Sequence, residues 1–275
     1  MREAGKSNRY NIRVVDRAIS VLNVLADGKP RTLTELSKEI EINSSTTFRL
    51  LATLLSHNLV QQEDSTGQYR LGLACLELAR AYNTGDEIRR AALPVLEALR
   101  NVTKETVHLA VLDELEIIYL EKLEGLHAIG LMSSRVGRRA PAYCTGIGKV
   151  LLAQIDSDLV ASQLKNITLK QYTDTTIVDE GELLAHLVLV RNRGYALDLG
   201  EHENDVRCVA APVFDQTGKT VAAISVSGPK DRIDPTESNH LLIEQTTEAA
   251  RTISGQLGYQ NTITSSREDQ NAEDH

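Results

Sequence analysis

The stretch SSTTFRLLATLLSHN (44–58), followed at once by LVQQEDSTGQYRLG (59–72), decides the fold class of the first part of the chain. In the first segment apolar residues recur every three or four positions, which is typical of a helix that packs one side on a core. In the second, apolar and polar residues alternate on both sides of Gly67, which tolerates the positive φ of a tight turn. Together they predict a helix followed by a β-hairpin.

The residues upstream complete a known pattern. VVDRAISVLNVLADG (14–28) carries apolar residues at helical spacing, and TLTELSKEI (32–40) predicts a second, short helix with Thr34 as its N-cap. Helix, helix, turn, helix and hairpin is the order of a winged helix-turn-helix. We therefore expect such a domain over 11–72, preceded by a flexible arm over 1–10.

The third helix has one apolar side and one polar side. At about 100° per residue, the side expected to dock on the domain holds Phe48, Leu50, Leu51, Leu54 and Leu55. Short polar residues and an arginine on the other side suit base edges in a major groove, although the same pattern describes an ordinary solvated face. The DNA-binding candidates in the helix and the wing are Ser44, Ser45, Thr46, Arg49, Thr53, Gln68 and Arg70, with Arg9 and Arg13 extending a basic arm.

The remainder of the chain predicts a second, α+β domain. LACLELARAYNT (73–84) is expected to be a linker helix, and the next helix tolerates Pro94 only with a kink or a late start. Short β-rich runs alternate with helices over 85–259, and the polar tail 260–275 is expected to be disordered. The expected strands are 106–113, 116–125, 128–134, 195–199, 207–214 and 221–228, and the expected helices are 147–155, 181–194 and 235–257.

Composition narrows the class of protein. The 275 residues are 41% hydrophobic and 25% charged, and no apolar run approaches the roughly 20 residues of a membrane span. The polar, basic start has no signal-peptide core, so we expect a cytoplasmic protein without membrane contact. Three cysteines far apart argue against a disulfide framework or a zinc cluster.

The net charge of −8 is unevenly distributed. Residues 1–80 hold 11 Lys and Arg against 9 Asp and Glu, whereas the other 195 residues hold 19 against 29. Association with DNA depends on the local field of the docking face, so this balance is compatible with double-stranded DNA as a partner.

From Val14 to Tyr259 the sequence resembles the IclR family of bacterial transcriptional regulators. The resemblance rests on INSSTTFRLLATL and GQYRLG in the first domain. In the second it rests on SSRVGRRAPAYCTGIGKVLLA (133–153), RGYALDLGEHENDVRCVAAPVFD (193–215) and VAAISVSGP (221–229). It implies a winged helix-turn-helix domain, a linker helix and a C-terminal GAF-like α/β effector-binding domain. It also implies homodimers that often pair into tetramers on operator DNA.

The resemblance further implies where a small carboxylate effector binds. The family's pocket motifs fall on Gly146, Ile147, Asp198, Cys208, Ser225 and Ser227. A helix that opens at Thr145-Gly146-Ile147-Gly148 presents unpaired N–H groups and the positive end of a dipole to an anion. Serines two apart on a strand point to the same face. No cofactor, metal or catalytic residue is implied.

Within the family the chain most resembles the KdgR-like branch, which senses sugar acids such as 2-keto-3-deoxygluconate. That implies control of catabolic or transport genes, with glyoxylate-like and aromatic acids as alternative effectors. Arg135, Arg138 and Arg139 offer positive charge near such a ligand. The chain departs from the family at Ser44, where Lys or Arg is common, and at Asp205, which adds charge to a loop near the pocket.

Three other interpretations are open. A GAF-like enzyme would use Cys208 as nucleophile and His202 as base, although a buried inert thiol is the commoner situation. A metal site would draw on His108, His202, Cys208 and Asp198, which lack close ligand spacing. A protein-interaction module would have no salt-dependent affinity for DNA.

Overall fold

The computed structural model describes residues 11–80, 83–126, 132–233 and 240–260. The predicted arm with Arg9, the tail after Gln260 and most of the predicted strand 128–134 lie outside these ranges. The elements in chain order are α1 (Arg13–Leu25), α2 (Leu33–Glu39), α3 (Ser44–Ser56), β1 (Val60–Gln62), β2 (Tyr69–Leu71), α4 (Ala74–Arg80), α5 (Asn83–Thr103), β3 (Thr106–Asp113), β4 (Glu116–Leu123), β5 (Arg139–Pro141), α6 (Gly146–Ala153), α7 (Ser157–Leu164), α8 (Glu180–Arg193), β6 (Ala196–Asp198), β7 (Val206–Phe214), β8 (Thr220–Pro229) and α9 (His240–Gln256). None of the described helices is long and apolar enough to cross a membrane.

Contacts divide the chain into two compact units between Asn83 and Thr84. The first unit has the predicted order of helices and hairpin, and its small core joins α1, α2, α3 and both strands. The N-cap of α2 is Thr32 and not the predicted Thr34, because Thr32 and Glu35 form a reciprocal capping box. The buried core residues are Val21, Leu25, Leu36, Leu50, Leu51, Leu54, Val60 and Tyr69.

The hairpin of the first unit is the predicted wing. Strands β1 and β2 pair antiparallel, with Gln61 opposite Arg70, and Gly67 has a φ of 68° in the connecting turn. Arg31 adds a bridge to Tyr69 through two backbone hydrogen bonds of 3.0 and 2.7 Å. This bridge ties the wing to the segment that precedes α2.

The second unit is built on a six-stranded antiparallel sheet in the order β5-β4-β3-β8-β7-β6. Since side chains alternate along a strand, each face has its own cover. Apolar residues of α5 and α9 cover the face that carries Leu109, Val209 and Ile224. Helices α6, α7 and α8 cover the face that carries Ala110, Ala210 and Ala223.

Several details of this unit differ from expectation. The short strand β5 and the helix α7 were not predicted from the sequence, and α5 runs through Pro94 from a start at Asn83. The sequence predicted helix α6 correctly, and α6 is the element that positions the candidate site. Its residues are all buried against the sheet and α8.

Candidate functional site

Helix α3 presents an exposed face that begins at a capped N-terminus. The Asn43 side chain accepts the Thr46 backbone N–H at 2.9 Å, and the Ser45 hydroxyl lies 3.1 Å from the same oxygen. Ser44, Ser45, Arg49 and Thr53 are exposed and Thr46 is half-buried, so the predicted helix candidates share the surface side of α3.

The prediction for one residue of α3, Phe48, was wrong, because it lies on the exposed side of the helix and not on the buried side. Phe48 was expected to dock on the core, but its side chain is 56% exposed, and Thr47 takes the buried position. Thr47 can do so because its hydroxyl donates to the Asn43 carbonyl at 3.2 Å. The exposed face of α3 therefore carries an aromatic ring beside Arg49.

Arg49 has the freedom that a DNA contact needs. Its side chain is exposed and makes no hydrogen bond or ion pair with any described residue. In the wing, Arg70 is exposed on β2 and Gln68 is half-buried beside the turn. Glu63 binds the Thr66 hydroxyl at 2.7 Å and places an acidic group at the wing tip.

A second candidate site lies at the N-terminus of α6, on the face of the sheet that α6 covers. Thr145 is the N-cap, and its hydroxyl accepts the Gly148 N–H at 3.2 Å. The N–H groups of Gly146 and Ile147 are buried and make no hydrogen bond within the described chain. Such N–H groups at the positive end of a helix dipole are suited to an anion.

The sheet opposite this helix end carries two of the predicted residues. A Cβ atom on Gly146 would lie 3.6 Å from the Cβ atoms of both Asp198 and Cys208, which pair across β6 and β7. Gly148 approaches even more closely, since a Cβ there would lie 2.2 Å from the Ala142 backbone. Helix α6 is thus seated directly on the chain before it, with its free N–H groups toward β6 and β7.

Asp198 is a buried carboxyl group at the edge of this site. Its Oδ1 accepts the backbone N–H groups of Gly200 at 3.0 Å and Glu201 at 2.8 Å. Burial raises the pKa of Asp198 to about 7, while the positive charge of Lys149 opposes that rise. Within the described chain Oδ2 has no hydrogen-bond partner, so it is available to a ligand.

Behind Asp198 lies an ion pair that sequence reasoning missed. The Lys149 side chain is fully buried, donates to the Leu197 carbonyl at 2.7 Å and pairs with the Glu201 carboxylate. The only sequence signal was a lysine within an otherwise apolar helical run, GIGKVLLA. This pair ties α6 to β6 and to the loop after it.

The remaining predicted residues lie together on β7 and β8. Cys208 on β7 lies opposite Ser227 on β8. Ser225 lies two residues before Ser227 on the same face, and the two serine hydroxyls are 3.2 Å apart. Burial and the Asp198 charge raise the pKa of the Cys208 thiol well above its usual value. The structure therefore brings all six predicted pocket residues to one face of the sheet and one helix end.

The geometry does not support the enzyme or the metal interpretation. A thiol with a raised pKa is a poor nucleophile, and His202 contacts Tyr172, with its ring 4.9 Å away. Among the described residues no group of three or more His, Cys, Asp or Glu side chains is placed to hold a metal.

Two predicted charges near the pocket are engaged elsewhere. Arg139 pairs with Asp113 and Glu116, and Asp205 pairs with Lys230 at 2.7 Å on the surface. Neither therefore brings net charge to the site.

The comparisons with known proteins decide the family. The family model described as the IclR helix-turn-helix domain matches residues 14–64, and the model described as bacterial transcriptional regulator IclR C-terminal matches 80–255. This chain belongs to the IclR family. It is a transcriptional regulator with an N-terminal DNA-binding domain, and its relatives are regulators and repressors, not enzymes.

Several relatives of this IclR-family chain are similar over almost their whole length. The regulator KdgR of Escherichia coli K12 is 39% identical over 250 residues, which cover 90% of this chain and 94% of KdgR. XynR of the same strain is 35% identical, over an alignment that covers 90% of this chain and 98% of XynR. An IclR homologue of Microbacterium hydrocarbonoxydans, solved with 4-hydroxybenzoate, has a TM-score of 0.78 at 25% identity, covering 89% of this chain and 98% of its own.

Proposed function

We propose that this IclR-family regulator binds a small hydroxylated carboxylic acid at the N-terminus of α6 and adjusts its affinity for operator DNA in response. The favoured class is a sugar acid such as 2-keto-3-deoxygluconate, and the genes controlled are those for its uptake or breakdown. Similarity to KdgR supports this class, since 90% of this chain aligns with that regulator. The protein works where bacterial operator DNA lies, in the cytoplasm.

The observation that carries the effector proposal is the pair of buried, unpartnered N–H groups at Gly146 and Ile147. Leaving a buried N–H unpaired costs on the order of 1–3 kcal/mol, which a ligand oxygen would recover. Asp198, Cys208, Ser225 and Ser227 then contact the rest of the ligand. The carboxylate end of the ligand is the part that accepts the free N–H groups.

Calorimetric titration tests the effector class directly. The unmodified protein is titrated with 2-keto-3-deoxygluconate, glyoxylate and 4-hydroxybenzoate, and a gel shift on its own upstream DNA is run with each acid. We expect micromolar binding of the sugar acid together with a changed shift. Binding of glyoxylate or 4-hydroxybenzoate in its place would reassign the effector, and no DNA binding would contradict the regulator itself.

For the DNA side, we propose that Ser44, Ser45, Thr46, Arg49 and Thr53 contact the major groove and that Gln68 and Arg70 contact the backbone from the wing. The exposed, unpaired guanidinium of Arg49 is the strongest support. A guanidinium reads guanine through two parallel hydrogen bonds, worth about 1–3 kcal/mol of discrimination. Ser44 supplies a hydroxyl and a helix-end N–H for a phosphate.

We also propose a homodimer, which can pair further into a tetramer. Helix α1 and its N-cap expose a stripe of apolar side chains, Ile12, Val15 and Ile19. Leu73, just before α4, and Leu76, within it, are also exposed. A second copy is the occupant that fits, since two recognition helices one DNA turn apart read a two-fold operator. Light scattering should give the mass of a dimer or a larger assembly for the unmodified protein. Ile19→Lys should shift that mass toward the monomer. Val188→Lys, at an exposed position of α8, is the control and should leave the mass unchanged.

A further inference from the structure

Beside the predicted pocket, and sharing two of its serines, lies a cluster of neutral hydrogen-bonding groups. It consists of His108 on β3, Tyr119 on β4, Ser134 after the undescribed segment 127–131, and the serines Ser225 and Ser227 on β8. We call this set the hydroxyl cluster. It faces the same side of the sheet as Cys208, because His108 pairs with Ser225 and Ser227 pairs with Cys208.

His108 is the centre of the hydroxyl cluster. Its Nε2 lies 2.9 Å from the Ser134 hydroxyl, and its Nδ1 lies 3.4 Å from the hydroxyls of both Ser225 and Ser227. All four side chains are buried. Burial and the nearby Lys122 lower the pKa of His108 to about 3, so the imidazole is neutral at physiological pH.

Tyr119 is the half-buried member of the cluster. Its ring lies 5.2 Å from the His108 ring, centroid to centroid. The phenol O–H makes no hydrogen bond with any described residue, and burial raises its pKa, so the hydroxyl keeps its proton. A phenol hydroxyl without a partner among the described residues is able to bond a hydroxyl group of a ligand that lies against this face of the sheet.

The chemistry of the hydroxyl cluster selects the kind of group it would bind. Imidazole, serine and tyrosine groups can each donate or accept, which matches a ligand hydroxyl. Lys122, the cation whose charge acts on His108, donates to the Ser134 carbonyl at 3.0 Å and lies 3.5 Å from Glu124. The free N–H groups of α6 are suited to one ligand carboxylate. A second carboxylate on the same ligand would meet the neutral groups of the hydroxyl cluster, which do not offset its charge.

We propose that Tyr119 is a specificity-determining residue that binds a hydroxyl group of the effector's carbon chain, and that His108 positions the serine hydroxyls beside it, so that the site selects polyhydroxylated monocarboxylates over unsubstituted keto acids. This inference rests on the proposed function, because it assumes that a carboxylic acid binds at α6. It adds that the carboxylate and hydroxyl ends are read by different elements, α6 for the former and β3 with β4 for the latter.

The test uses two ligands of equal chain length. 2-Keto-3-deoxygluconate and 2-oxohexanoate share six carbons and the keto acid end, but only the first has hydroxyls. The unmodified full-length protein, Tyr119→Phe, His108→Gln and His108→Leu are titrated with both acids by calorimetry. Tyr195→Phe, on the opposite face of the sheet, is the matched control.

We expect the unmodified protein to prefer 2-keto-3-deoxygluconate at least about tenfold. Tyr119→Phe should lower affinity for that acid by about five- to tenfold, the effect of one hydrogen bond, and change affinity for 2-oxohexanoate by less than about twofold. His108→Gln should keep part of the preference that His108→Leu loses. Tyr195→Phe should change neither affinity.

Two results would overturn the proposal in distinguishable ways. If the unmodified protein binds 2-keto-3-deoxygluconate and Tyr119→Phe binds it equally well, or loses both acids equally, the hydroxyl cluster does not set specificity while the proposed effector class stands. If the unmodified protein binds neither acid but still binds DNA, the effector class and this proposal fail together. Melting curves for each variant show whether a loss reflects unfolding.

Discussion

Asp198 combines two features that seldom occur together, full burial and an oxygen left free for a ligand. Its backbone donors favour the charged form, and Lys149 does so too, but burial outweighs both and raises the pKa to about 7. A carboxylate bound at α6 would add a negative charge close by. Two such groups are most stable with one shared proton.

Effector binding is therefore expected to take up a proton. A ligand carboxylate raises the pKa of Asp198 above 7, so the complex holds more protons than the free protein at and above that pH. Affinity should be greatest below pH 7 and fall as pH rises from 7 to 8.5. Calorimetry in buffers of different ionisation enthalpy measures the number of protons taken up on binding. The Asp198→Asn variant should take up none. If the unmodified protein takes up no proton, the prediction is contradicted.

The aromatic ring of Phe48 lies on the exposed side of α3, the side proposed to face DNA, and is expected to contact a thymine methyl. Burying a methyl group is worth about 0.8 kcal/mol, or about fourfold in affinity. On an operator selected from random duplexes by the unmodified protein, replacing the contacted thymine with uracil should cost that amount. Phe48→Ala should bind more weakly and no longer distinguish the two bases, with an unchanged melting temperature because the ring is exposed.

At the scale of an element, the N-terminus of α6 carries the proposed carboxylate site. Thr145 caps one N–H, and the glycines on either side of Ile147 let the helix end approach β6 and β7 and the Ala142 backbone. Larger residues at these positions would hold the free N–H groups away from the sheet.

A matched pair of glycine substitutions tests this seating. Gly148→Ala places a Cβ 2.2 Å from the Ala142 backbone and should destabilise the protein by roughly 1–3 kcal/mol or more. Gly255→Ala, in α9 with no atom within 4 Å of the new Cβ, should stabilise it by up to about 1 kcal/mol. Urea unfolding gives both values; equal stability of the two variants would contradict the close approach.

At the scale of the whole molecule, the chain divides into two compact units. The proposed DNA-recognition face lies in the first unit and the proposed effector site in the second, so single substitutions should separate the two functions. Communication between them requires that the effector favour one of two states of the full chain.

Arg49→Ala should weaken specific DNA binding by about 1–3 kcal/mol and leave effector binding unchanged. Asp198→Ala should abolish the response to effector while the protein still binds its operator. Gel shifts and calorimetry on each variant check both halves. Loss of effector binding in Arg49→Ala would contradict the division of function.

The sequence by itself determined the order of most described elements, all but β5 and α7, because helical and alternating periodicities are local properties. It also led to the proposed pocket residues, through the family resemblance of GIGKVLLA and of the strand serines. It misplaced Phe48 because Thr47 can be buried by bonding its hydroxyl to the backbone one turn earlier. A helical wheel assigns residues to the buried or the exposed side by their polarity alone, so it does not predict that a threonine is buried in place of a phenylalanine.

Only the tertiary structure decided what surrounds the pocket. Lys149 with Glu201, and His108 with Ser134 and Ser225, are separated in sequence by 26 to 117 residues and meet only through sheet pairing and helix packing. Whether a buried histidine is a satisfied core group or part of a site depends on those neighbours. The physical reason is that desolvation and hydrogen-bond geometry are properties of the packed environment, which local periodicity does not specify.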